Sequence, residues 1–176
     1  AESNEINRNH LQFFGAHLSE MERNLAVMQI EGLLDTFQDA KEYGSILNVE
    51  ECDWNVLEKF VDDLGATGQI TFERVGSEET QESLRKLVRV AKNLGQKYDV
   101  VVTNPPYMGS SGMNGKLNSY LKKNYPDTRF DLSTVVMEKS LAMCSEVGVM
   151  SMINIPSWMF ISSYERFRKS ILTQNM

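Results

Sequence analysis

Residues 98–107 read Tyr-Asp-Val-Val-Val-Thr-Asn-Pro-Pro-Tyr, and this decapeptide restricts the fold more than any other stretch of the chain. The run from Asp99 to Thr103 is rich in β-branched side chains. A continuous apolar run of this length that stops at prolines reads as a strand buried in a parallel sheet. Two consecutive prolines cannot continue a strand, because each lacks the backbone donor that a ladder needs. Asn104 and Tyr107 therefore fall at the carboxyl end of the strand, where open α/β sheets collect their ligands. Pro105 and Pro106 hold φ near about −65°, so the turn is stiff and rich in acceptors. Such a turn suits a substrate that donates. An exocyclic amine such as adenine N6 is one: the Asn104 side-chain oxygen and the Pro105 carbonyl would each accept one of its N–H bonds and localise the nitrogen lone pair. Tyr107 would then stack on a base swung out of a helix. The plain alternative is a strand-ending proline turn with an aromatic cover; the complete strand and the aromatic fourth residue favour the functional reading.

The rest of the chain supplies the surroundings. Ser19 and Glu22 have capping-box spacing, and Leu18, Met21, Leu25, Met28, Leu33 and Phe37 form a rough helical stripe that Gly44 stops. Ser45–Val49 is predicted as a short extended segment, Asp53 as the cap of a helix through Trp54, Leu57, Phe60, Val61 and Leu64, and residues 69–75 as an edge strand. Ser77 opens a long helix that closes at Gly95. Beyond the turn, Gly109–Gly115 holds three glycines in seven residues; it reads as a mobile lid or as a plain linker. Asp131–Ser145 is predicted as a helix with Asp131 as its cap. Val147–Ile153 is predicted as a second strand, which a helical crossover would place parallel to the first in a right-handed unit. Trp158 and Phe160 are read as core, with a wall of the base pocket as the alternative. Ser162 and Glu165 again have capping-box spacing, ahead of a helix with Phe167 and Ile171 inward and Arg166, Arg168 and Lys169 outward.

Asn104-Pro105-Pro106-Tyr107 resembles the catalytic motif of S-adenosylmethionine-dependent amino methyltransferases, in particular the N6-adenine DNA enzymes. Phe130-Asp131-Leu132 and the run from Gly148 to Trp158 resemble the next helix, strand and proline-containing turn of that fold. Residues 104–113 are most similar to the large adenine methyltransferases of BREX phage-defence systems, the PglX type. The resemblance is specific over 98–176 and looser before it. It implies an α/β chain with part of a Rossmann-like methyltransferase fold: a mainly helical acidic segment over 1–97 and the catalytic half over 98–176. It also implies Asn104, Pro105, Pro106 and Tyr107 as catalytic residues, Asp131 close to the cofactor pocket, S-adenosylmethionine as cofactor and DNA as substrate, in restriction-modification or phage defence.

The glycine-rich turn that would follow a first strand and approach the cofactor is not found. Phe13-Phe14-Gly15-Ala16 has one glycine and no preceding strand, and reads as packing; Gly65-Ala66-Thr67-Gly68 follows no apolar strand. The chain is accordingly read as a fragment, inactive alone, whose cofactor-binding half and target-recognition region belong to a parent protein. The acceptors at Asn104 and Pro105 would equally serve an RNA adenine or a protein glutamine amide, and a non-catalytic nucleic-acid-binding module would retain the turn as structure.

Charge divides the chain. Residues 1–100 hold 10 Lys and Arg against 19 Asp and Glu, whereas residues 101–176 hold 8 against 5. Nucleic acid would meet the second half, through Lys116, Lys122, Lys123 and Arg129 with Tyr120 and Tyr125 among them, or else these are a solvated face. Cys52 and Cys144 stand far apart with no ligand spacing, which suits a reducing cytoplasm. His10 and His17, seven apart, have no third ligand near and read as ordinary polar positions. No signal peptide, membrane span or lipidation pattern is visible.

Overall fold

The computed structural model describes residues 3, 6–65 and 75–174 and divides the chain into two compact units, Ala1–Gln96 and Lys97–Met176. The predicted strand at 69–75 and the Gly65–Gly68 segment fall almost wholly outside the described residues.

The described part of the first unit is helical. A 3₁₀ turn over Arg8–Phe13 precedes α1 (Glu20–Thr36), the single turn α2 (Ala40–Tyr43), α3 (Trp54–Asp62) and α4 (Ser77–Gly95). Ser19 and Glu22 form the reciprocal capping box, and the Asp53 side chain accepts from Val56 N at 3.1 Å. Helices α1, α3 and α4 bury Ile30, Leu34, Leu57, Phe60, Leu84 and Leu87 against one another. Phe14 is fully buried, with its ring 5.9 Å from that of Phe60. Gly15 has φ +70°, and a Cβ there would lie 2.7 Å from the Phe60 ring, so this glycine serves packing. Residues 44–46 form a 3₁₀ turn where an extended segment was predicted, because Gly44 at φ +56° turns the chain at once.

His10 and His17 share no helix face. His10 is buried, its Nδ1 2.8 Å from Thr80 Oγ1, while His17 Nδ1 lies 2.7 Å from Asp63 Oδ1. No group of three or more potential metal ligands occurs among the described residues. Nor, among them, is any helix long and apolar enough to cross a membrane.

The second unit begins with β1 (Tyr98–Thr103) and continues through α5 (Gly115–Asn124), α6 (Leu132–Met143), β2 (Cys144–Met152), the short α7 (Ser157–Phe160) and α8 (Glu165–Gln174). The two strands pair in parallel, as the crossover argument requires, with Val100 opposite Val149 and Thr103 opposite Met152. Between Tyr98 and Val100 the first strand advances two residues while the second goes from Cys144 to Val149, five residues. The surplus is taken up where Gly148 lies against Tyr98. A Cβ on Gly148 would stand 2.7 Å from the Tyr98 carbonyl oxygen and 2.9 Å from Ser145 N. Backbone cannot yield as a side-chain tip can, so this irregular ladder depends on a glycine.

Helix α6 packs against both strands on one face, where Val101, Thr103, Met150 and Met152 are half-buried. The other face departs from the two-sided burial predicted for an apolar strand: Val100 is 61% exposed, Val102 72% and Val149 61%. A run of β-branched residues reports that both faces are apolar, and among the described residues only one helical layer covers the pair.

Replacing Gly148 with alanine is expected to destabilise the second unit by about 1–3 kcal/mol, the usual cost of forcing an atom into a filled site. Thermal unfolding of Gly148→Ala against wild type measures this; an unchanged midpoint would show that the ladder can relax around a Cβ.

Candidate active site

Thr103 ends β1 and Asn104 follows directly, since neither proline after it can donate to a ladder. Backbone and side-chain bonds on both sides fix the turn. Ile153 N donates to the Thr103 carbonyl at 3.3 Å, extending the contact one step past β2. The Tyr107 hydroxyl lies 3.0 Å from Asn104 Oδ1 and 2.9 Å from the Ile153 carbonyl oxygen, with geometry for donation to either. On the far side Leu132 N donates to the Met108 carbonyl at 2.9 Å and Ser110 N to the Phe130 carbonyl at 3.0 Å, around an antiparallel bridge between Gly109 and Asp131. Pro105 is buried, whereas Asn104 and Pro106 are exposed and Tyr107 is 48% exposed. The turn thus presents a neutral carboxamide and a half-open aromatic ring on a rigid base.

Asp131 caps α6: its Oδ1 accepts from Ser133 N at 2.9 Å and from Ser133 Oγ at 2.7 Å. It also joins the turn to the helix through the bridge to Gly109. Tyr164 sits behind it, edge-on to Phe130 with ring centroids 5.6 Å apart. Burial pushes the Tyr164 hydroxyl up, a hydrogen bond with Thr134 opposes this, and the nearby Asp131 charge adds to it.

The glycine-rich segment is more fixed than its composition predicts. Ser110–Gly112 forms a 3₁₀ turn, Met113 is buried, and Asn114 caps α5 by accepting from Leu117 N at 2.8 Å. Asn118 Nδ2 is 3.2 Å from the Ser110 carbonyl and 3.0 Å from that of Met113. Two asparagine side chains supply the order that three glycines would forgo.

The basic residues spread along one helix and the turn after it. Lys116 is exposed in the first turn of α5, and Lys122 and Lys123 in its last, where cations complement the helix dipole. The Arg129 guanidinium lies 4.5 Å from the centroid of the Phe130 ring. Tyr125 is core, 3% exposed, and presents no face to a base. Trp158 is half-buried and packs on Phe167, with ring centroids 6.1 Å apart, whereas Phe160, also read as core, is 79% exposed. Ile153, Met159, Phe160 and Ile161, all beyond the carboxyl end of β2, are exposed. The residue that sequence reasoning misses is Ile153, because it acts through its carbonyl and a backbone acceptor leaves no side-chain signature.

A cleft of about 660 Å³ in the same unit includes Asp127, Glu138, Cys144, Glu146 and Phe167 in its lining. It reaches the beginning of β2, whereas the Asn104 turn lies at the carboxyl end of the sheet. The turn, with its oriented polar groups, is the site that chemistry singles out.

A strand that ends in an acceptor-rich Asn-Pro-Pro-Tyr turn, bridged to the capped start of the following helix, is the arrangement expected of an amino methylase. The chain belongs to the Eco57I restriction-modification methylase family, whose model matches residues 11–176. It is 37% identical over 142 residues to the adenine-specific methyltransferase BrxX of Escherichia coli O9:H4 (strain HS), covering 79% of this chain and 11% of the relative. It is 38% identical over 142 residues to the adenine-specific methyltransferase PglX of Lacticaseibacillus casei (strain Zhang), covering 80% of this chain and 12% of the relative. The chain therefore spans about a tenth of the length of these curated relatives.

Glu138, at the cleft, gives a pH-dependent prediction. Burial pushes its carboxyl up; the Thr128 hydroxyl, 2.5 Å from Oε2, opposes this, and Asp127 adds to it. An acid with a raised folded pKa holds its proton more tightly when folded, so stability falls as pH climbs from the ordinary glutamate range through the folded value. Glu138→Gln is expected to be more stable than wild type at pH 7 by less than about 1 kcal/mol, given partial solvent screening. The gap should close in denaturant titrations carried below the ordinary glutamate range; a gap that persists there would mean the charge is not its source.

Proposed function

We propose that this chain carries the amine-binding part of an S-adenosylmethionine-dependent methyltransferase acting on adenine N6 in DNA. The observation that carries this reading is the Asn104–Tyr107 turn, with its tethered carboxamide and half-exposed ring at the end of a parallel strand. Family membership and the adenine-specific activity for which the two relatives are named support it. Because the chain spans so little of those relatives, the activity is assigned to the whole protein, with its cofactor-binding and target-recognition regions. Restriction-modification or phage defence in the cytoplasm is the setting that this chemistry fits.

Asn104 Oδ1 and the Pro105 carbonyl accept the two N–H bonds of the amine, which draws its lone pair out of conjugation with the ring and aims it away from the turn. Pro106 keeps the acceptors in place, so little reorganisation accompanies the reaction. Tyr107 stacks on the extruded base, a contact worth about 1–3 kcal/mol in single-strand binders. S-adenosylmethionine supplies a methyl group on a positively charged sulfur. The residues described fit that group only at its edge, with Asp131 the candidate closest to it by family pattern; Gly15, Gly44 and Gly76, the glycines with positive φ, follow no strand. The exposed valines of β1 and β2 suit a Rossmann-like sheet whose second face is covered by other parts of the whole protein. Lys116, Lys122, Lys123 and Arg129 are assigned to the phosphate backbone on the same reading.

The test offers the whole protein labelled S-adenosylmethionine together with duplex DNA, RNA or a glutamine-containing peptide. Label is expected on DNA adenine, and Asn104→Ala should lower the rate by about 10²–10³, as loss of an oriented polar group at a reaction centre does. Label on RNA or peptide instead of DNA would reassign the substrate, and an undiminished rate in Asn104→Ala would remove the turn from catalysis.

Asp131→Asn separates two roles, since asparagine caps a helix as well as aspartate. Unchanged thermal stability with cofactor affinity weakened several-fold in calorimetric titration is expected. Unchanged affinity would leave Asp131 as a cap alone.

A further inference from the structure

The Tyr107 hydroxyl has one proton and two acceptors within reach, Asn104 Oδ1 at 3.0 Å and the Ile153 carbonyl at 2.9 Å. Only one can receive it. The Ile153 carbonyl can never do anything but accept, whereas the Asn104 carboxamide has a donating end and an accepting end. A half-turn of the carboxamide resolves the conflict: Tyr107 donates to Ile153, and Asn104 Nδ2 donates to the lone pairs of the Tyr107 oxygen. That half-turn points Asn104 Oδ1 away from the phenol. In the orientation of this structure Oδ1 faces the Tyr107 hydroxyl, and only its second lone pair remains for an incoming amine.

We propose that the Tyr107 hydroxyl, locked by the Ile153 carbonyl, is a positioning group that selects which end of the Asn104 carboxamide faces the substrate amine. This rests on the amine-methylation reading above and adds to the ring of Tyr107 a second task that stacking does not require. Phenylalanine would stack equally well. It would leave the carboxamide without a partner to hold its amide end inward.

The experiment uses the whole protein and the variants Tyr107→Phe and Tyr107→Ala, on duplex DNA whose methylated site has been mapped by labelling. In Tyr107→Phe, kcat is expected to fall roughly tenfold, the worth of one well-placed hydrogen bond. KM for DNA and the thermal midpoint should stay at wild-type values. So should the fluorescence rise of a duplex carrying 2-aminopurine at the target position, which reports base extrusion. Tyr107→Ala should lose that fluorescence rise as well. A Tyr107→Phe kcat within twofold of wild type would overturn the inference. So would a fall in kcat accompanied by loss of the fluorescence change or of stability, because the hydroxyl would then be holding the loop and not the carboxamide. Absence of any methyl transfer to adenine by the wild-type protein would instead sink the functional reading, and this inference with it.

Discussion

The short parallel ladder between β1 and β2 sets the position of everything at the candidate site. Its last rung pairs Thr103 with Met152, and Ile153 N then reaches back to the Thr103 carbonyl. Past that point neither Pro105 nor Pro106 has a backbone N–H to donate to a further rung. The neighbouring strand is left with a carbonyl, that of Ile153, standing beside the turn with no ladder partner there to claim it. Tyr107 meets it. A constraint that is purely backbone chemistry thereby supplies the acceptor around which the side chains of the turn arrange themselves. The opposite end of the ladder makes room for this register: three surplus residues of β2 are absorbed near Gly148, where two backbones approach too closely for any other residue.

Much of this was legible in the sequence because it is local chemistry. The β-branched run, the stop at two prolines, the capping box at Ser19 and Glu22, and the caps at Asp53 and Asp131 each follow from the residue and its immediate neighbours. What escaped reading depends on groups far apart in the chain or on backbone atoms. The exposure of Val100 and Val102 depends on how many layers cover the sheet, which an apolar run does not report. Segment 109–115 looked mobile by composition, yet Asn114 and Asn118 tie it to the start of α5. Tyr125 and Phe160 exchanged their expected surroundings, one buried and one exposed, because either ring has the same hydrophobicity whichever way its helix end is turned. The carbonyl of Ile153 could not have been singled out, since every residue has one.

Local chemistry also explains why the site tolerates exposure. Asn104 is neutral, so on the proposed reading covering it with a base would desolvate a dipole and not a charge, which costs far less. Lys116, Lys122 and Lys123 are exposed on α5, where on the proposed reading they would meet phosphates.

On the proposed reading, the energetics of extruding a base make the orientation of one amide decisive. Unstacking and unpairing a base costs a few kcal/mol. Stacking on Tyr107 returns about 1–3 kcal/mol, and each of two hydrogen bonds to the amine returns about 0.5–1.5 kcal/mol net. The two sides are nearly equal, so no contribution at the turn is spare. If the carboxamide presents its N–H bonds, one favourable contact disappears and an unpaired donor is enclosed in its place, a change larger than the margin. A rigid proline turn fixes where the carboxamide sits but not which way round it lies, since a half-turn about its last bond leaves its shape almost unchanged. That choice has to be made by a neighbour with a fixed hydrogen-bonding demand, and at this turn the Tyr107 hydroxyl, tied to a carbonyl that can only accept, is the group that has one.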